Sequence, residues 1–76
     1  MVLFRDFAQR KARRLNIVGW VKNEPDGSVS VLAQGEKAAL ERYVELLKKG
    51  PVLARVEDVV CTWREPTQAF DDFRIV

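Results

Sequence analysis

Two amphipathic segments with helical spacing enclose a pair of short strand-like segments, and this order limits the fold more than any other feature of the chain. The spacing predicts one helix over residues 4–15 and a second that opens at Gly35-Glu36 and stops at Gly50-Pro51. The apolar stripes consist of Phe4, Phe7, Ala8, Ala12 and Leu15 in the first helix, and of Leu40, Tyr43, Val44 and Leu47 in the second.

The region between the helices is typical of an antiparallel hairpin. Residues 17–22 are rich in β-branched and aromatic side chains. In the second segment, Val29, Val31 and Ala33 alternate with Ser28, Ser30, Leu32 and Gln34. The segment Asn23-Glu24-Pro25-Asp26-Gly27 predicts a turn between these strands. Asn16 suits the end of the first helix, because asparagine tolerates the left-handed conformation found there. Gly19 indicates a bulge or a close backbone contact.

The C-terminal third predicts one more strand and a short closing segment. Val59, Cys61 and Trp63 alternate with polar or smaller residues until Pro66, and residues 70–76 suit a terminal strand. The order α-β-β-α-β favours one α+β domain over residues 1–76, a ferredoxin-like (β)αββαβ sandwich with two helices on one face of an antiparallel sheet. The first strand of that topology is central in the sheet. Its absence here is expected to leave two unpaired strand edges, which invite strand exchange with a second copy.

Composition excludes several kinds of chemistry. The chain of 76 residues has no histidine and one cysteine, so histidine catalysis, histidine–metal sites and internal disulfides are excluded. We expect no cofactor and no metal, and Cys61 is interpreted as a core residue. The carboxylate pairs Glu57-Asp58 and Asp71-Asp72 are interpreted as surface charges. A single cysteine, no membrane-spanning apolar run and no signal-peptide pattern favour a cytoplasmic protein.

Basic residues are concentrated near the N-terminus. Five of them and one acidic residue give residues 1–14 a net charge of +4. One interpretation is a site that attracts phosphate or nucleic acid. The other, which we favour for this stretch by itself, is a solvated helix face.

Four motifs resemble the acylphosphatase family, in the right order and with matching spacing. They are residues 2–12; Gly19-Trp20-Val21-Lys22-Asn23 with Pro25-Asp26-Gly27; Lys48 through Gly50-Pro51 and Ala54-Arg55-Val56 to Trp63; and residues 70–76. The resemblance implies hydrolysis of acyl phosphates. It places the essential arginine of the family on Arg5 and its essential asparagine on Asn23, and it implies phosphate binding at Arg5 and at Val2, Leu3 and Phe4 beside it.

The chemistry of these residue types suits those roles. A guanidinium holds two phosphate oxygens at once, and a helix N-terminus favours an anion, so inorganic phosphate or sulfate is expected at Arg5. An amide such as that of Asn23 can orient a water molecule for in-line attack. Taken alone, Arg5 would be a solvated helix residue and Asn23 a turn former, and only the joint match assigns them to a site. Trp20 and Trp63 are interpreted as packing residues.

The chain departs from the family at one point. The family's phosphate loop, of the Gly-Arg-Val-Gln-Gly type, would lie just before Val2, and Met1 takes the place of its last glycine. Impaired catalysis is therefore expected. A start placed too far downstream, repair of the sheet by a partner chain, and a rearranged sheet are three explanations that the sequence leaves open.

Two functions follow from these observations. The first is an acylphosphatase that acts on a small acyl phosphate. The alternative is a non-catalytic ferredoxin-like module that binds an anion or a partner. RNA binding is disfavoured, because the strand signature of interleaved aromatic and basic residues is absent.

Overall fold

The computed structural model describes residues 2–51 and 68–76, with two helices and three strands. In chain order the elements are α1 (Val2–Arg14), β1 (Val18–Asn23), β2 (Val29–Gln34), α2 (Lys37–Lys49) and β3 (Phe73–Ile75). The strand predicted around Val59, Cys61 and Trp63 lies outside the described residues, as does Pro66. The closing strand is confirmed, although only Phe73–Ile75 of the predicted segment is paired.

Helix α1 begins two residues earlier than its apolar stripe indicates, at Val2, and ends at Arg14. Residues of a first helical turn need not belong to the stripe, so periodicity does not define the start of a helix. Asn16 follows with a φ of 58°, the left-handed conformation predicted for it. The chain then reverses tightly, and the Ile17 N–H donates to the Ala12 carbonyl at 2.8 Å.

The sheet has the order β2-β1-β3 and is mixed rather than wholly antiparallel. β1 and β2 form the predicted antiparallel hairpin, with Val21 opposite Val31. β3 instead runs parallel to β1: the Gly19 N–H donates to the Asp72 carbonyl at 3.0 Å, and the Val76 N–H donates to the Val21 carbonyl at 2.9 Å. This register turns the Phe73 side chain into the core, where it is fully buried.

Both helices pack on one face of this sheet, as the ferredoxin-like prediction requires. Along β1, Gly19 and Val21 are buried and alternate with more exposed residues, so Asn23 lies on the same, helix-facing side. The core comprises Phe4, Phe7, Ala8, Ala12, Ile17, Val21, Tyr43, Leu47 and Phe73. Further apolar residues pack against it from partly buried positions, namely Leu15, Val29, Val31, Ala33, Ala39 and Leu40.

Tyr43 of α2 contacts both β3 and α1 within the core. Its ring meets that of Phe73 edge to face, with 5.9 Å between centroids and an interplanar angle of 76°. Its hydroxyl donates a buried hydrogen bond of 2.8 Å to the Ala8 carbonyl of α1. Burial raises the pKa of Tyr43 well above its ordinary value.

We expect Tyr43→Phe to lower the free energy of unfolding by about 1 kcal/mol, the net value of a typical buried hydrogen bond. The unfolded chain releases the tyrosine proton near its ordinary pKa of about 10, whereas the folded chain holds it, so the stability of the parent protein must fall as the pH rises above that value. The Tyr43→Phe variant has no hydroxyl proton to release, so it does not lose stability in this way. Urea unfolding of both proteins between neutral pH and about pH 11 should therefore show their difference shrinking, and a constant difference would contradict the buried hydroxyl.

Candidate functional site

The N-terminal turn of α1 and the C-terminal end of β1 lie at the same edge of the fold. Because Asn16 reverses the chain, α1 runs antiparallel to β1, and Gln9 of the helix reaches the strand level where Gly19 pairs with Phe73. From that level Asn23 lies four residues along the strand, about 13 Å away. Arg5 lies one helical turn before Gln9, about 6 Å along the helix axis, and helical side chains lean toward the N-terminus. Arg5 and Asn23 therefore approach the same edge.

Two buried side-chain polar atoms have no hydrogen-bond partner among the residues that the structure describes, Arg5 Nε and Asn23 Oδ1. The first is a donor and the second an acceptor. An unsatisfied buried polar group costs about 1–3 kcal/mol, so such atoms are rarely retained without a use. The two residues that the resemblance assigns to the site are thus the two whose buried polar side-chain atoms have no partner within the described chain.

The backbone of α1 adds further donors beside Arg5. The N–H groups of Val2, Leu3 and Phe4 lie in the first helical turn, where they have no intrahelical acceptor. This turn contains no acidic residue, so no carboxylate of its own competes for the positive end of the helix dipole. The edge can therefore hold an anion with backbone and side-chain donors together.

The turn after β1 holds Asn23 in a defined backbone position. The Glu24 N–H donates to the Ser28 carbonyl at 2.8 Å, and the Gly27 N–H donates to the Glu24 carbonyl at 3.0 Å. Asp26 Oδ1 accepts from both the N–H and the hydroxyl of Ser28, at 2.9 and 2.6 Å, and these bonds lower the pKa of Asp26. The predicted turn is confirmed, and it fixes the strand end that carries Asn23.

The other basic residues of α1 lie toward its opposite end, around a shallow depression lined by Arg10, Lys11, Arg13 and Arg14. Arg10 pairs with Asp6 at 3.0 Å and Arg13 with Asp72 at 3.0 Å, all with exposed side chains. The side-chain hydrogen bond from Arg13, followed by that from the Phe73 N–H, lowers the pKa of Asp72. These pairs agree with a solvated helix face, the interpretation favoured from sequence.

Several other residues singled out in the sequence have no part at this edge. Trp20 is half-buried on the sheet face away from the helices, and Asp71 forms a surface ion pair of 3.2 Å with Arg74. Trp63, Cys61 and Glu57-Asp58 lie outside the described residues. Within residues 2–51 and 68–76, no three acidic or cysteine side chains are grouped as a metal site would require.

Gln9 is a residue that sequence reasoning missed. Its amide Nε2 donates to the Phe73 carbonyl at 3.0 Å and so connects α1, one turn after Arg5, to β3. No sequence pattern could have indicated this contact, because it depends on which strand edge lies beside the polar side of α1.

Comparison with known proteins gives a consistent result. The acylphosphatase family model matches residues 1–75. An acylphosphatase from Salinibacter ruber (strain DSM 13855 / M31) is 49% identical over 72 residues, which are 95% of this chain and 76% of that protein. The crystal structure of acylphosphatase from Bacillus subtilis superimposes with a TM-score of 0.92 at 38% identity, covering 96% of this chain and 81% of that one.

A second solved structure, an acylphosphatase from Coxiella burnetii, matches with a TM-score of 0.84 at 37% identity, covering 97% of this chain and 77% of that one.

Among the described residues, neither helix is long and apolar enough to cross a membrane.

Proposed function

Since this chain belongs to the acylphosphatase family, we propose that it hydrolyses the carboxyl–phosphate bond of small acyl phosphates, with Arg5 binding the phosphoryl group and Asn23 orienting the attacking water. The observation that carries the proposal is the pair of buried, unpartnered atoms, Arg5 Nε and Asn23 Oδ1, found among the described residues. One donor suits a phosphoryl oxygen and one acceptor suits a water hydrogen.

Arg5 supplies charge and geometry to the phosphoryl group. Its Nε–H and an adjacent Nη–H form a planar fork that matches two phosphoryl oxygens, and the guanidinium contributes a positive charge. The N–H groups of Val2, Leu3 and Phe4 add donors from the first turn of α1. Together these groups neutralise the negative charge that would otherwise repel an incoming nucleophile.

Asn23 acts on the water. Its Oδ1 accepts one hydrogen of the water molecule, which directs an oxygen lone pair toward phosphorus. The new bond forms between water oxygen and phosphorus while the bond from phosphorus to the acyl oxygen breaks, and its electron pair leaves with the carboxylate. A proton of the water passes to a phosphoryl oxygen of the substrate, so the products are a carboxylate and inorganic phosphate.

This route needs no general base from the protein, which agrees with a chain that has no histidine. A carboxylate is a stable leaving group with a pKa of about 4 in its acid form, so it also departs without a general acid. Positioning and charge neutralisation therefore account for the catalysis.

The test is turnover of an aromatic acyl phosphate by the purified protein, followed as release of inorganic phosphate. We expect Asn23→Ala to lower kcat by about a hundredfold, the scale of losing one oriented polar group, with little change in KM because Asn23 acts on water. Gln34→Ala removes the side-chain amide of a half-buried residue on the neighbouring strand and serves as the control.

A parent protein that binds inorganic phosphate but shows no turnover above the spontaneous rate would overturn the hydrolase proposal. That result would favour the anion-binding module instead. Equal activity of Asn23→Ala and the parent protein would reject the assigned role of Asn23.

A further inference from the structure

The outer edge of β3 is closed by side chains at Phe73. Since the carbonyl of Asp72 and the N–H of Val76 bond to β1, the backbone groups of Phe73 point away from β1, toward the outer edge. Both have partners: the Phe73 N–H donates to Asp72 Oδ1 at 2.8 Å, and the Phe73 carbonyl accepts from Gln9 Nε2 at 3.0 Å. At Phe73 the edge that faces α1 is therefore occupied by side chains.

All three side chains at this edge come from α1 or are held by it. Gln9 binds the Phe73 carbonyl directly, and Arg13, one turn later, holds Asp72 through two hydrogen bonds of 3.2 and 3.0 Å. Residues four apart share a helix face, so Arg5, one turn before Gln9, lies in the same row.

Resting on the proposed function, we propose that Gln9 is a positioning residue for Arg5, whose amide fixes the height and rotation of α1 against the sheet that carries Asn23. β3 pairs directly with β1, so a helix fastened to the Phe73 carbonyl is fastened to the strand that ends at Asn23. A misplacement of about 1 Å can lower a rate about a hundredfold, so this one hydrogen bond can affect catalysis without touching substrate.

Gln9 rather than Arg13 carries this role. The Gln9 bond is partly buried and lies one helical turn from Arg5. The Arg13–Asp72 pair lies two turns away, and its side chains are 53% and 43% exposed. Exposed ion pairs contribute little to the free energy of folding, because the ordering of two long side chains offsets most of their attraction. Tyr43 holds α1 at Ala8 from the side of α2, which leaves Gln9 to restrain the side facing β3.

The chain offers a matched control. Gln34 Nε2 donates to the Gln68 carbonyl at 2.7 Å, which is the same kind of amide-to-backbone bond placed on β2, away from α1. Gln9→Leu and Gln34→Leu each remove one amide-to-backbone hydrogen bond, partly buried at Gln9 and exposed at Gln34, and retain similar side-chain volumes.

The first measurement is the ¹H–¹⁵N resonance of Arg5 Nε in the ligand-free protein. We expect Gln9→Leu to shift or broaden this resonance and Gln34→Leu to leave it unchanged. An Arg5 resonance that does not respond to Gln9→Leu would overturn the inference whether or not the protein is an enzyme.

The second measurement is a double-mutant cycle on the dissociation constant of inorganic phosphate. We expect Gln9→Leu to weaken phosphate binding about tenfold when Arg5 is present and to have no effect in the Arg5→Ala background, because coupled residues are not additive. Equal effects in both backgrounds would show that Gln9 does not act through Arg5.

Turnover separates positioning from stability. At a temperature where all variants are folded, Gln9→Leu should lower kcat about tenfold, whereas Gln34→Leu should match the parent protein. A Gln9→Leu variant with a lowered Tm but unchanged kcat and phosphate binding would show a purely structural role. Absence of turnover in the parent protein would reject the proposed function, while the resonance and the cycle still decide on Gln9.

Discussion

Arg5→Ala should lower kcat/KM for an acyl phosphate by about a thousandfold, the scale at which an arginine stabilises charge in phosphoryl transfer. The reason is that the variant loses both the permanent charge and the buried Nε donor at the edge shared with Asn23. The melting temperature of the ligand-free protein should not show a correspondingly large fall. The Nε donor has no partner among the described residues, so its removal breaks no hydrogen bond within them. Turnover and thermal unfolding of the same preparation test both statements.

Arg5→Lys separates charge from geometry. A lysine ammonium keeps the charge but cannot present the planar fork, so we expect about a hundredfold loss rather than full activity. Arg14→Ala removes an equal charge from an exposed position on the same helix and should change kcat/KM by less than about twofold. Similar losses in Arg5→Ala and Arg14→Ala would mean that Arg5 acts only through the overall charge of α1.

Gly19→Ala is expected to have the largest effect on stability, a loss of more than about 3 kcal/mol in the free energy of unfolding. Gly19 is buried in the middle of the sheet with a φ of 140°, which alanine rarely adopts. A Cβ there would also collide with the backbone carbonyl of Leu32 on β2. That oxygen belongs to the paired strand and cannot move without opening the hairpin. Urea unfolding measures the loss, and a small domain can unfold altogether at such a cost.

Gly27→Ala is the matched control for this substitution. Gly27 also has a positive φ, 91°, but a Cβ there meets nothing within 4 Å. Backbone strain without collision costs about 1–2 kcal/mol, so the difference between the two variants measures the close approach of β1 and β2. Equal losses would show that the hairpin relaxes around the added methyl group.

Local signals predicted most of the fold because each depends on a few neighbouring residues. The apolar stripes of both helices, the left-handed Asn16 and the turn at residues 23–27 all follow from residue type and spacing. Of the two alternatives predicted at Gly19, a bulge or a close backbone contact, the contact is found, with the Leu32 backbone. The parallel direction of β3 could not be predicted, because a three-residue strand takes its partner from the tertiary contacts of Phe73 rather than from its own pattern.

The candidate site was predictable only in part. Arg5 and Asn23 are ordinary residues of a helix and a turn when each is taken alone, and the resemblance along the chain brought them together. Their shared edge depends on the reversal at Asn16, and their unpartnered atoms depend on packing within the described residues. Gln9 could not be predicted, because the role of an amide on the polar side of a helix depends on which strand lies beside it.

The parallel course of β3 has a practical consequence for work on this protein. The Val76 N–H bonds to the Val21 carbonyl, so the chain leaves the sheet at the level of Lys22, beside Asn23. A purification tag or fluorescent label joined after Val76 would emerge next to the residue proposed to orient water.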